Sequence, residues 1–352
     1  MNLLLIGNGF IGNHFYNLFE NNYNIKILSR NINYNIDKGI QYPIVNNDFN
    51  EKCFENIDVI VYTIYSHSYY DNIILLDKIY KLSSKYNIKK IIYLDTMSIY
   101  NFSNKIIDEK TEKTNFNEVY AKNKLRISNH IKNISIKNNI NTKILNLSVV
   151  LGLGSSWNKY AIDSLLQGNI ELPYNGKSKG YVNIIHVEDL CVLIDTIINT
   201  KHNDNNEILN VSSGVMITWY DFYNIYKNII TKLGYKSGSI YYEKPNGNLF
   251  SKNSIKNMLY YIVYTILGYN ILSIIKTYKQ SSNDKINRDI NFNIKCKNSI
   301  TVMNGYYRYL HLSNFQYSIL KVLDKYNVRF KYNTKDRVEE KILNEYKNNN
   351  IK

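Results

Sequence analysis

Tyr120, Lys124 and Thr96 are the residues of this chain whose types and spacing could move a proton. On a helix, Tyr120 and Lys124 stand one turn apart and share a face. A phenol titrates at about pH 10, so it is a poor acid–base group at neutral pH. An ammonium beside it favours the phenolate, which makes proton exchange with an alcohol or carbonyl feasible. In a chain with 34 tyrosines the Tyr-x-x-x-Lys spacing also arises by chance, and by itself a structural role explains it at least as well. Thr96 supplies the context. It directly follows the apolar strand Ile91–Asp95, at the carboxyl edge where open α/β sheets bind ligands, and its hydroxyl can hydrogen-bond a reacting oxygen.

Those three residues need a sheet to position them, and the first residues announce one. The apolar run Leu3-Leu4-Leu5-Ile6 leads into Gly7-Asn8-Gly9-Phe10-Ile11-Gly12, followed by a helix expected over Asn13–Asn21. In this G-x-G-x-x-G pattern Gly7 permits a tight turn, Gly9 admits a pyrophosphate to the backbone, and Gly12 lets helix and strand pack closely. The helix N-terminus offers unpaired N–H groups and partial positive charge to phosphates. Phe10 and Ile11 sit within the loop as further cofactor contacts, and Thr63, at the end of a later strand, is another candidate.

Strands and helices alternate from there at about one unit per 30 residues, the pattern of a doubly wound parallel sheet. Strands are predicted at Asn24–Ser29, Ile40–Val45, Asp58–Thr63, Lys89–Asp95 and Thr142–Leu151, with helices over Asp71–Tyr86 and Glu118–Lys137. Beyond Gly152-Leu153-Gly154 the pattern loosens. A short helix is expected at Ala161–Gly168, a strand at Tyr181–Ile185, a helix at His186–Thr200, a strand at Glu207–Val211 and a helix at Trp219–Leu233. The chain thus divides into a dinucleotide-binding Rossmann domain over 1–155 and a smaller, mainly substrate-binding lobe over 156–352, some of whose elements return to the first sheet.

Composition narrows the function. The chain has 352 residues, 44% hydrophobic and 21% charged, as a globular protein would. Its net charge of +15 is carried by scattered lysines without a basic, aromatic-laced stripe, so no nucleic-acid partner is expected. Cys53, Cys191 and Cys296 form no metal or disulfide spacing, and the first strand starts at once, leaving no room for a signal peptide. A reducing, cytoplasmic location and no metal are expected. The most apolar segment, 258–275, is short for a bilayer span, which needs about 20 residues. It reads as a packed or surface-lying helix, and peripheral contact with a membrane stays open.

With these residues in view, the chain resembles the extended short-chain dehydrogenase/reductases, the NAD-dependent epimerase/dehydratase family. There a strand ends in Ser/Thr followed by x-x-V-Y-G; here it is Thr96-Met97-Ser98-Ile99-Tyr100-Asn101. Tyr120 follows that hydroxyl at about the family's distance, and its supporting Asn falls on Asn72. Asp48-Phe49 sits where members place an acidic residue against adenine. Leu145–Gly154 is similar to the family's strand and glycine turn near the nicotinamide, Asn183–Leu190 to its V-H-V-D-D-L segment, Leu209–Ser212 to its Y-N-V-S strand, and Phe330–Tyr346 to its closing pattern. The resemblance fades only across about 245–310.

The resemblance implies a Rossmann-type fold, a nicotinamide cofactor and a small-molecule sugar substrate, most readily a nucleotide sugar. Tyr120 would exchange the proton, Thr96 orient the reacting oxygen, and Lys124 tune Tyr120 and hold the nicotinamide ribose. Met97, Ser98, Asn183 and Lys179 would face the substrate. The departures matter. Ser29-Arg30 follows the second strand where a carboxylate usually holds the 2′-OH, which favours NADP, with NAD still allowed. Met97 replaces the acid of the dehydratase branch and disfavours that reaction. The Arg that grips the nucleotide aligns near Val182, leaving Lys177 or Lys179 as substitutes and Arg308 as a second contact. An epimerase or keto-sugar reductase is therefore expected, and a homodimer is compatible with it. Alternatives are a membrane-associated oxidoreductase resembling the 3β-hydroxysteroid dehydrogenase branch and a non-catalytic dinucleotide sensor. His67 and His186 read as structural residues, and Ser155-Ser156 lacks the partners of a nucleophile.

Overall fold

The structure, a computed structural model, describes residues 1–31, 39–100, 108–111, 113, 119–172, 181–200, 206–213, 216–232, 234–242 and 339–344. Its centre is a parallel sheet of β1 (Asn2–Ile6), β2 (Asn24–Ser29), β3 (Ile40–Pro43), β4 (Val59–Tyr62), β5 (Lys90–Thr96), β6 (Asn141–Leu147) and β10 (Ile208–Val211). Among the described residues the sheet has seven strands, in the order β10-β6-β5-β4-β1-β2-β3. The chain leaves β1 toward β2 and β3, then returns to add β4 on the opposite side. The crevice between β1 and β4 is therefore the switch point at which such sheets take ligands.

Period-two alternation explains the two layers around the sheet. Leu3, Leu5, Ile27, Val61, Ile92 and Leu94 point into a core completed by α1 (Phe10–Phe19) and α5 (Val187–Asn199). Leu4, Ile6, Leu28, Ile60, Tyr62, Ile91 and Tyr93 point the other way, onto α2 (Tyr69–Lys85) and α3 (Val119–Lys137). Strands covered on both faces must be apolar throughout, as the Leu3–Ile6 and Val59–Tyr62 runs are.

A smaller lobe forms beside the carboxyl edge. The stretch Thr142–Leu151, which reads as one strand, is two. β6 ends at Leu147, and β7 (Val149–Leu151) pairs with β9 (Tyr181–His186) in a separate sheet with β11 (Met216–Thr218). Ser148 is the joint, its N–H donating to Val211 O at 3.0 Å. Packed on this sheet are α4 (Ser156–Gln167) and α6 (Trp219–Lys232), with a short pair of β8 (Ile170–Leu172) and β12 (Ile240–Tyr242) beyond. The helical residues 339–344 tie in through Lys341 to Glu188 and Lys232 to Glu339, each 2.9 Å.

Two helices begin earlier than their sequence suggests. α1 starts at Phe10 rather than Asn13, with Gly9 as its N-cap; α4 starts at Ser156 rather than Ala161, with Ser155 Oγ accepting from Trp157 N. The apolar segment 258–275 lies outside the described residues. Among the described residues, no helix is long and apolar enough to cross a membrane.

Candidate active site

The glycine loop is built as a cradle. Gly7 adopts φ +111°, and a Cβ there would lie 2.4 Å from Thr63 Oγ1; one on Gly12 would lie 2.0 Å from Gly7 O. Thr63 Oγ1 in turn donates to Ile6 O at 3.0 Å and to Gly7 O at 3.2 Å, so this residue braces the loop. Gly9 differs: a Cβ there would meet nothing within 4 Å. No side chain caps the N-terminus of α1 at Gly9, so the first N–H groups of the helix face outward above an open backbone. That arrangement fits a diphosphate.

Beside the loop lies a cleft of about 420 Å³ at the carboxyl ends of β4, β5 and β6. Phe10, Ile11, Thr63 and Tyr65 line its loop side, and Thr96, Met97, Ser98, Tyr120 and Lys124 its floor. Val150, Ser155, Ser156, Trp157, Val182, Asn183 and Trp219 line it from the smaller lobe. The three residues expected to transfer a proton thus converge with the glycine loop on one cavity.

Each of them is held differently. Thr96 ends β5 and caps the short turn at Met97–Ile99; its Oγ1 accepts from Ser98 N at 3.2 Å and donates to Ser98 Oγ at 3.1 Å. Tyr120, in the first turn of α3, is 39% exposed and meets Tyr65 edge-on with ring centroids 5.2 Å apart. Lys124 is only 4% exposed. Its Nζ lies 3.4 Å from Leu94 O, 3.5 Å from Tyr93 Oη and 3.8 Å from Asp95 Oδ1, and 4.6 Å from the centre of the Tyr65 ring. Burial pulls the Lys124 ammonium below the usual lysine range, and the Asp95 carboxylate opposes that pull.

Other expected residues have more local duties. Asn72 is buried outside the cleft. Its Oδ1 accepts from Ser66 N at 2.9 Å, and its Nδ2 donates to Ser66 O and Ser68 O, each at 2.6 Å. It fastens the loop that carries Tyr65 and His67 into α2. Ser29 Oγ donates to Asn31 O at 2.5 Å, and Arg30 Nη2 to Tyr65 O at 3.0 Å. Asp48 pairs with Lys78, and Phe49 is buried against Phe54 with Lys78 Nζ 4.4 Å from its ring centre. His186 caps α5, its Nδ1 accepting from Glu188 N at 3.3 Å. Ser155 Oγ donates to Val150 O at 2.8 Å. Lys177, Lys179 and Arg308 lie outside the described residues. Among the described residues no His, Cys, Asp and Glu cluster could hold a metal ion.

Three cleft residues went unremarked in the sequence. Asp95 is fully buried at the end of β5, and the chain's two tryptophans, Trp157 and Trp219, stand with ring centroids 6.0 Å apart on the lobe side. A carboxylate closing an apolar strand was the available signal for Asp95. Nothing local in the sequence brings the two indoles together.

A family model described as "NAD dependent epimerase/dehydratase family" matches residues 3–212. No curated protein matches the chain. Among solved structures, UDP-glucuronic acid 4-epimerase from Bacillus cereus, in complex with UDP-glucuronic acid and NAD, is 16% identical with a TM-score of 0.59, covering 69% of this chain and 86% of its own. UDP-N-acetylglucosamine 4-epimerase from Methanobrevibacter ruminantium M1 is 17% identical with a TM-score of 0.56, covering 72% and 91%. The dTDP-glucose 4,6-dehydratase from Bacillus anthracis str. Ames, in complex with NAD, is 18% identical with a TM-score of 0.56, covering 73% and 89%. At these identities the likeness is one of fold.

Proposed function

The chain belongs to the NAD dependent epimerase/dehydratase family, and from that premise we propose that it is a nucleotide-sugar epimerase or keto-sugar reductase using a nicotinamide dinucleotide. The observation that carries this reading is the convergence of Thr96, Tyr120 and Lys124 with the glycine loop on one cleft.

The Gly7–Gly12 loop and the N-terminus of α1 would hold the diphosphate, with Phe10, Ile11 and Thr63 at its cleft side. When bound, the dinucleotide supplies a hydride acceptor or donor. The chain's own groups handle the proton. Tyr120 gives or takes it at the sugar oxygen, from the half-exposed position it occupies at the cleft wall. Thr96 orients that oxygen through its hydroxyl, which Ser98 already fixes. Lys124 presents positive charge from one turn further along α3, a charge that favours the phenolate of Tyr120. In an epimerase the same groups serve both directions.

Met97 supports epimerisation or reduction over dehydration. Its thioether lines the cleft beside Thr96, where eliminating water needs a group able to accept or donate a proton. On the lobe side the indoles of Trp157 and Trp219, with Asn183 and Ser156, offer flat apolar surface and a few hydrogen-bonding groups, a combination suited to a sugar. For the cofactor we favour NADP. Arg30 follows β2 directly, with its guanidinium tethered to Tyr65 O, and its charge would suit a 2′-phosphate.

A thermal-shift panel of UDP-, GDP- and TDP-sugars with NADP+ or NAD+, and of their keto derivatives with NADPH or NADH, tests the reading, because a ligand stabilises the native state by RT ln(1 + [L]/Kd). At least one nucleotide sugar should raise the melting temperature and be converted to its epimer or reduced product. No shift and no conversion across the panel would overturn the proposal.

A further inference from the structure

Asp95 is an unusual neighbour for a catalytic threonine. It is the residue before Thr96 on β5, its side chain is completely buried, and its carboxylate lies 3.8 Å from Lys124 Nζ. A buried carboxylate is costly unless it is paired, so its retention on an otherwise apolar strand calls for a task. Asn72, on which the family's supporting Asn falls, has its amide engaged with Ser66 and Ser68. Lys124 is held instead from β5, by Tyr93 Oη, Leu94 O and the Asp95 carboxylate.

We propose that Asp95 is a positioning residue for the reaction, an acidic partner that holds the Lys124 side chain charged and in register beneath Tyr120. The assignment rests on the Tyr120–Lys124 reading of the site given above.

The groups around the pair can be named. Tyr93 on β5 and Tyr65 from the loop after β4 face Lys124, and Tyr120 shares its helix. Lys113, Ser128 on α3 and the Thr96 N–H face Asp95. Burial raises the Asp95 carboxyl and lowers the Lys124 ammonium, so each needs the other to stay ionised. A neutral residue at 95 would leave burial unopposed at Lys124, and the ammonium would give up its proton at lower pH. Tyr120 would then lose the positive charge beside it.

Trace acetylation of the cofactor-free protein with acetic anhydride, from about pH 6 to about pH 11, reads the Lys124 midpoint by mass spectrometry without substrate or turnover. In Asp95→Asn the midpoint should fall by about one pH unit or more, making Lys124 roughly tenfold more reactive on the neutral side. Asp95→Glu should restore most of the shift. An unchanged midpoint in folded Asp95→Asn overturns the proposal. Should Asp95→Asn fail to fold, Asp95→Asn/Lys124→Met decides: recovered folding supports a pair in which each charge answers the other, and continued failure overturns it. The labelling needs no sugar, so a negative nucleotide-sugar panel and a negative result here are separate outcomes.

Discussion

Tyr120 and Lys124 stand one turn apart on α3 yet live in different surroundings, Tyr120 partly in solvent and Lys124 buried against β5. That split suits a division of labour in which one group touches the sugar and the other sets its charge. Tyr120→Phe should therefore cut kcat by at least about 100-fold, the usual range of a lost acid–base group, while the NADPH Kd stays within about threefold. Turnover assays with fluorescence titration would show it, and normal turnover would sink the proposed role. Arg30 makes a second prediction. If it meets a 2′-phosphate, Arg30→Ala should weaken NADPH about tenfold or more and leave NADH nearly unchanged, since only one of the two carries that phosphate. Equal losses by fluorescence titration would remove Arg30 from cofactor selection.

The strands and helices of the first half were legible because each is driven by local pattern. Leu3–Ile6, Val59–Tyr62 and Ile91–Leu94 are apolar runs of strand length, and α2 and α3 carry their apolar residues at helical spacing. The break at Ser148 was not legible, since Asn146 and Ser148 fall at the alternating spacing that a single strand also shows; only pairing with β9 draws β7 away. Asp95 and the indole pair escaped for a related reason. Their neighbours come from distant chain positions, and pattern reports only which face a residue takes. The turn after β7 shows how such distant contacts hold the cleft. Asn158 Nδ2 donates to Gly152 O at 2.7 Å, and Tyr226 Oη on α6 donates to Asn158 Oδ1 at 2.6 Å, all within the protein interior. Tyr226→Phe leaves that amide oxygen without its phenol partner, and urea unfolding should show a loss of about 1–3 kcal/mol. An unchanged midpoint would mean that the turn does not depend on α6.

Across the whole molecule, buried titratable groups shape stability at alkaline pH. Burial lowers the Lys113 ammonium to about 8, with Lys132 adding to the shift. From about pH 8 to pH 10.5 the unfolded chain then binds a proton that the folded chain has shed, so stability should rise with pH through that window. The buried phenols of Tyr62, Tyr80, Tyr93 and Tyr100 are pushed the other way, above 10.0, so stability should fall again at higher pH. Urea titrations at a series of pH values should trace the rise and fall, and Lys113→Met should flatten the rise. A rise of undiminished size in Lys113→Met would place its source elsewhere, in ammonium groups that burial also lowers, such as Lys124 and Lys90.

The three glycines of the first loop divide their work in a way that separates architecture from occupancy. At Gly7 a methyl group would collide with Thr63 and Ile64, and at Gly12 with Gly7, whereas at Gly9 it would project into empty space. Gly9→Ala should thus be a blank: a chain expected to keep its melting curve and cleft but to lose affinity for the dinucleotide. Beside such a blank, any sugar that still binds does so without the cofactor's help, and whether the two ligands must enter in order can be read from a single methyl group.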